Sequence, residues 1–388
     1  MNTAIHAFAL RYRRLAQVLA GLALMTGLAN GASPPVPHSP PGSPRIKLET
    51  GEIEGAKFVI ARPAQWNGCV LLLAHGFREE TLPLVADFNP DHLAHRTLLD
   101  EGWVVAKTSY RRNGVIIRDA IADLENLRAH IADTCGEPRR VLLEGDAMGG
   151  AIVTLIAEQF ASHYQGALAV GAALQVREKA DPVDFNLQPQ IPLVFLSNQG
   201  ELAGPRQYVA APFDRQNRPL LLQVARDGHV NVNQRERLAA LRTLGNLIDR
   251  QPVALPSVDG HLMLFDATQE PVPVASLVRP RNEGGFEAQV TETNAISGDL
   301  VLNMQPLDLS AADIAPGTWF ELIAKGQACR VFYGRGFASV KPGLWVAFPN
   351  ADGFFTLGRN NENAAATAGL EAGDPVVIHR LTDPPAAD

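Results

Sequence analysis

Arg140-Val141-Leu142-Leu143-Glu144-Gly145-Asp146-Ala147-Met148-Gly149-Gly150 reads as a buried strand that runs into a tight turn and straight on into a helix. The apolar run fits a strand covered on both faces, and the glycines on either side of Ala147 permit a bend that a Cβ would obstruct. The following residues, Met148 to Ala161, carry apolar side chains at helical spacing.

Working outward, short apolar runs alternate with longer amphipathic stretches. Strands are expected at Lys57 to Ala61, Cys69 to Ala74, Trp103 to Thr108, Val141 to Glu144, Ala167 to Gly171, Leu193 to Ser197 and Leu220 to Val224. Helices are expected at Ile117 to Ile131, Met148 to Ala161 and Gln234 to Ile248, the first from the spacing of Ile117, Ile121, Leu124, Leu127 and Ile131. Such alternation predicts an α/β fold, a mainly parallel sheet between two helical layers.

The strand, the glycine-flanked turn and the helix together resemble the nucleophile elbow of the α/β-hydrolase superfamily of serine esterases, whose pattern is G-x-S-x-G. The resemblance covers about 200 residues, 46 to 250, and implies a three-layer sandwich. Gly145 and Gly149 fit the pattern, but the central residue is Ala147, whose methyl has no lone pair with which to attack a carbonyl. In chain order the resemblance puts Glu201, after the strand ending at Ser197, at the orienting carboxylate, and His229, after the strand ending at Val224, at the general base. Asp214 and Asp227 stand in reserve as carboxylates. His75-Gly76-Phe77 looks like the family's oxyanion loop, its backbone N–H pairing with that of Met148. His75, Gly76, Tyr110 and Arg111 are expected to border the substrate, with Arg111 or Arg112 clamping an acidic or phenolic ester. Between Val176 and Ile191 there is room only for a short lid.

Two accounts of Ala147 stay open: a serine-to-alanine form of an ester hydrolase, or a pseudoenzyme that kept the pocket for binding. Retention of His229, Glu201 and the His75-Gly76 loop favours the first. Asp146 does not replace the nucleophile, because it precedes the exposed position of the turn.

The chain of 388 residues is long enough for two domains, and 46% hydrophobic residues can fill their cores. With a net charge of -7 it has no global positive field for nucleic acid. Residues 1–31 carry Arg11, Arg13 and Arg14, an apolar run from Leu15 to Leu28 and small residues at Ala29 and Gly31, the layout of a secretory signal. That run falls short of the roughly 20 residues that span a bilayer. A secreted or periplasmic protein of a bacterial cell is expected, with no membrane contact after cleavage. Residues 32–45, rich in Pro, Ser and Gly, read as a flexible tether. Three cysteines exclude a disulfide scaffold, and Cys69 and Cys135 are weighed as a pair across the sheet's amino end. The ten histidines show no metal-ligand spacing, so no metal and no cofactor is proposed.

Residues 251–257 read as a linker and 258–381 as a β-rich module. From Gly336 to Gly343, through Asn363-Ala364-Ala365, to Gly369-Leu370-Glu371-Ala372-Gly373-Asp374, it resembles the C-terminal β-barrel of the S-adenosylmethionine hydroxide adenosyltransferase and fluorinase family. The family's adenine-holding Phe-Gly-Asn turn would fall on Ser297-Gly298-Asp299, a departure, and Arg359 and Asn360 would be ligand contacts. A PDZ-like module is the rival reading. The module is expected either to cover the hydrolase or to form a homo-oligomer; the partner expected of the hydrolase is a small-molecule ester.

Overall fold

The computed structural model describes residues 46–179, 182–212, 218–255, 257–258, 261–265 and 275–381. The stretches expected to be a secretory signal and a tether, and Asp214, lie outside the described residues. Two compact units divide between Glu270 and Pro271.

In the first unit the strands are β1 (Lys47–Ile53), β2 (Ala56–Arg62), β3 (Cys69–Ala74), β4 (Val104–Thr108), β5 (Arg140–Asp146), β6 (Gly166–Val170), β7 (Leu193–Asn198), β8 (Leu220–Val224), β9 (Ser257–Val258) and β10 (His261–Phe265). They form one sheet in the order β1-β2-β4-β3-β5-β6-β7-β8-β10-β9. β3 to β8 and β10 run parallel, while β1, β2 and β9 pair antiparallel. The helices are α1 (Leu93–Asp100), α2 (Ile117–Cys135), α3 (Met148–Gln159), α4 (Ala203–Val209) and α5 (Gln234–Ile248).

The apolar runs are continuous because both faces of the sheet are covered. Val70, Leu72 and Ala74 of β3 pack with the core of α2 and α3, whereas Leu71 and Leu73 join that of α1 and α5. Each fully buried leucine contributes on the order of 2 kcal/mol by leaving water. This is the three-layer α/β-hydrolase sandwich, and the strand order puts the elbow at the carboxyl end of the central strand β5.

The expected domain boundary is corrected. β10 lies parallel to β8, Leu262 beside Leu222, so β9 (Ser257–Val258) and β10 (His261–Phe265), which fall at the end of the expected linker and the start of the expected module, extend the hydrolase sheet. Leu262 and Leu255 pack on its core, and burial decides their allegiance. The pairing left open for Cys69 and Cys135 is not formed. All three cysteines are free thiols, and the residue opposite Cys69 is Arg140, because α2 ends at Cys135 several residues before β5 begins.

In the second unit β11 (Arg279–Pro280), β12 (Phe286–Thr293), β13 (Leu300–Leu302), β14 (Trp319–Ala324), β15 (Gln327–Tyr333), β16 (Trp345–Pro349), β17 (Phe355–Arg359) and β18 (Pro375–Arg380) form a sheet closed by pairing of β12 with β18. Its core takes alternate residues, as with Phe286, Ala288 and Val290 of β12. Two short helices, α6 (Pro306–Ala311) and α7 (Ala364–Ala368), accompany the barrel.

Candidate active site

At the elbow Ala147 is held at φ +54° and ψ −111°, a conformation that costs a non-glycine residue about 1–3 kcal/mol. Its neighbours must be glycine for reasons of close approach. A Cβ on Gly145 would lie 2.2 Å from the Gly149 carbonyl oxygen, and one on Gly149 would lie 2.1 Å from that of Ala74. The turn is clipped to the end of β6: Ala147 N–H donates to Val170 O at 2.9 Å, and Ala147 O accepts from Ala173 N–H at 2.9 Å. Met148 opens α3, so its N–H belongs to the first turn, where amides have no intrahelical acceptor and the helix dipole favours an anion.

Glu201 and His229 come together. Glu201 Oε2 lies 2.7 Å from His229 Nδ1, which assigns the proton to Nδ1 and leaves Nε2 as the basic nitrogen. The other carboxylate oxygen accepts from the amides of Asn198 at 3.2 Å and Val230 at 3.3 Å. Glu201 is largely covered, whereas 56% of the His229 side chain is exposed. The hydrogen bond to Glu201 lifts His229 above its ordinary 6.5; partial burial opposes this, and the charges of Glu201 and Asp146 add to it.

Two supporting residues were missed by sequence reasoning. Buried Asn198, at the end of β7, donates Nδ2 to Asn231 O at 2.8 Å and accepts Asn231 N–H at 2.8 Å, joining the carboxylate loop to the histidine loop. Gly171 sits at φ +52°, and a Cβ there would lie 2.9 and 3.0 Å from the two Glu201 carboxylate oxygens. Gly171 ends a strand assignment made from apolar character alone, which carries no trace of this contact.

The His75-Gly76 loop closes over the elbow. A Cβ on Gly76 would lie 3.2 Å from Asp146 O and 3.3 Å from the Ala147 methyl, so the backbone leading to Phe77 borders the same place as the start of α3. His75 does not face a substrate as expected. It is buried, its ring nitrogens lie 2.7 Å from Gly76 O and 3.0 Å from Ser109 O, and it stacks on Tyr110 at 4.0 Å. Burial, with Arg78 and Lys107 nearby, lowers His75 to about 3, so the ring stays neutral. Tyr110 is likewise corrected to an internal strut: it is fully buried and its hydroxyl donates to His75 O at 3.2 Å.

Arg111 is corrected too. Asp123 of α2, with no exposed side-chain surface, takes its backbone amide at 2.7 Å and its guanidinium at 2.6 and 2.9 Å. A buried carboxylate requires a cation, and Arg111 fills that need. Arg112 pairs with Asp119 and Glu178. Arg237 of α5 draws Asp146 away from the exposed position of the turn, at 2.8 and 3.0 Å, and also pairs with buried Glu144.

In the barrel, the expected ligand contacts serve its own loops. Arg359 donates to Gly343 O and lies over Trp345, while Asn360 donates to Val340 O at 2.7 Å. Gly298 of the Ser297-Gly298-Asp299 turn packs on Asn363, the N-cap of α7; a Cβ there would come within 2.0 Å of its Oδ1. A concavity of about 430 Å³ lies beside it; of its lining residues Lys325 pairs with Asp374 at 2.9 Å and Asn363 accepts the Ala366 amide, while the buried Thr293 hydroxyl has no partner among the described residues. Among the described residues no helix is long and apolar enough to cross a membrane, and no cluster of three or more His, Cys, Asp or Glu is arranged to hold a metal.

No known family model matches the chain. A segment of 130 residues, 32% of this chain, is 29% identical to an o-phthalyl amidase of Xanthobacter agilis and spans 27% of that protein's length. Similar solved structures include an esterase of Pyrobaculum calidifontis, at 14% identity and a TM-score of 0.40 over 53% of this chain and 86% of that one. They also include the Pyrococcus furiosus esterase Pf2001, at 14% and 0.39 over 56% and 99%, and oligopeptidase B of Leishmania major, at 13% and 0.38 over 54% and 36%. By its own strand order and elbow the chain has the α/β-hydrolase fold, and esterases and peptidases stand among the structures it is similar to.

Proposed function

We propose that the first unit is a serine-hydrolase scaffold for carboxylic esters or amides, with alanine at the nucleophile position, so that the chain as it stands binds its substrate class without forming an acyl-enzyme. The observation that carries this reading is the 2.7 Å contact of Glu201 with His229 beside an elbow at φ +54°. A binding protein gains nothing from an aligned base and orienter. With serine at 147, His229 would take the hydroxyl proton, Glu201 would hold the imidazolium, and the amides of Phe77 and Met148 would stabilise the oxyanion. Water would then clear the acyl group. The amide bond belongs in the substrate class because of the likeness to the amidase.

The test is Ala147→Ser, assayed with 4-nitrophenyl acetate and an anilide of the same acid. Turnover is expected to rise by several orders of magnitude, toward the roughly 10⁶ lost when triads are dismantled. A folded Ala147→Ser protein with no gain on either substrate favours the second reading, a pseudoenzyme that binds equally well with either residue. The layout of residues 1–31 supports export, checked by the appearance of the shortened chain in the periplasmic or culture fraction.

A further inference from the structure

The parts of the site other than the nucleophile do not depend on the side chain at 147. His229 is aligned by Glu201, and Glu201 is fixed by the amides of Asn198 and Val230. The anion-favouring groups are backbone: the first turn of α3 and the loop through Gly76, whose Cβ position lies 3.3 Å from the Ala147 methyl. The methyl offers no proton for Nε2 to take, and the more than half-exposed ring is open to water.

From this arrangement, and resting on the function proposed above, we infer that the chain as it stands hydrolyses activated esters directly, with a water molecule in place of the serine hydroxyl and His229 as its general base. The water oxygen bonds to the carbonyl carbon while its proton passes to His229 Nε2. The carbonyl electron pair moves onto oxygen, beside the backbone amides of the elbow. The tetrahedral adduct then collapses, the bond to the leaving oxygen breaks, and that oxygen takes the proton back from the imidazolium. Ester and water become acid and alcohol, with no covalent enzyme intermediate. Glu201 acts as a positioning residue, holding the ring in the tautomer that leaves Nε2 unprotonated. A well-placed general base contributes about 10²–10⁴-fold.

The experiment uses the full chain treated with phenylmethylsulfonyl fluoride, to silence contaminating serine esterases, and follows 4-nitrophenyl acetate from the first turnover. Hydrolysis above the buffer rate is expected, without a burst and with no loss to the reagent. His229→Asn, matched for folding by thermal melting, is expected to lower it about 10²-fold, and Glu201→Gln to lower it while shifting its acid limb to lower pH. Equal rates with and without His229, or a burst stoichiometric with protein, overturn the inference. Ala147→Ser separates the two claims: if it gains reagent-sensitive turnover while the alanine form shows none that depends on His229, the water route fails and the hydrolase reading stands. If neither form turns over, both fail.

Discussion

The side-chain amide of Asn198 clasps the backbone of Asn231 with two hydrogen bonds of 2.8 Å, tying the end of β7 to the loop that carries His229. Glu201 begins three residues after one end of this clasp, and His229 lies two residues before the other. The distance between carboxylate and imidazole is therefore set in part by a side chain that bonds to Asn231, while the backbone amide of the same residue donates to Glu201.

Asn198→Ala removes both bonds and leaves the partly buried amide of Asn231 without its acceptor, while the Asn231 carbonyl keeps the Arg226 guanidinium at 2.7 Å. A loss of about 2–3 kcal/mol is expected in chemical denaturation. In the Ala147→Ser background kcat should fall roughly tenfold or more, with KM changing less.

His229 carries a pKa raised by Glu201, so its charged form is favoured by the fold. The corresponding stabilisation is present below pH 6.5 and disappears as pH rises through the higher folded value. Activity runs the other way, because the base is the neutral ring. The acid limb of kcat/KM for Ala147→Ser is expected above 6.5, and Glu201→Gln should move it down. A limb that stays in place when Glu201 is neutralised would contradict the assignment.

Gly171→Ala forces a Cβ to within 2.9 Å of a Glu201 oxygen and 2.8 Å of Val230, at a φ of +52°. We expect a lower melting temperature, by several degrees, and loss of most of the turnover gained by Ala147→Ser. Gly200→Ala is the control, since a Cβ there meets nothing within 4 Å.

Asp123→Asn breaks the pair that buries a carboxylate against Arg111, and should cost about 3 kcal/mol in denaturant unfolding. Arg111→Gln should leave the ratio of KM values for a neutral and an anionic ester unchanged. A selective rise for the anionic ester would restore Arg111 to the substrate.

Burial left strong marks in the sequence. The run Cys69 to Ala74 and the helix Gln234 to Ile248 stand where the apolar pattern puts them, because a strand or helix face that leaves water must be apolar along its length. β1 was not legible, since its Lys47, Glu49 and Glu52 alternate with little that is buried. Tyr110 and Arg111 were misread for a different reason: whether a polar side chain turns toward a pocket or toward a buried partner depends on residues brought close only by the fold, here His75 and Asp123. Glu201 and His229 were placed by chain order, but the clasp through Asn198 and the contact at Gly171 depend on loops whose paths no local pattern records.

The pairing of β12 with β18 gives the barrel a ring without a first or last strand, so few of its main-chain groups are left as a template for another chain. The hydrolase sheet, by contrast, stops at β1, a seven-residue ribbon with one side unpaired among the described residues. Lys47, Glu49 and Glu52 on that ribbon discourage a neighbouring molecule from adding a strand. Replacing those charges with valine would turn that open rim into a template for fibrous aggregation.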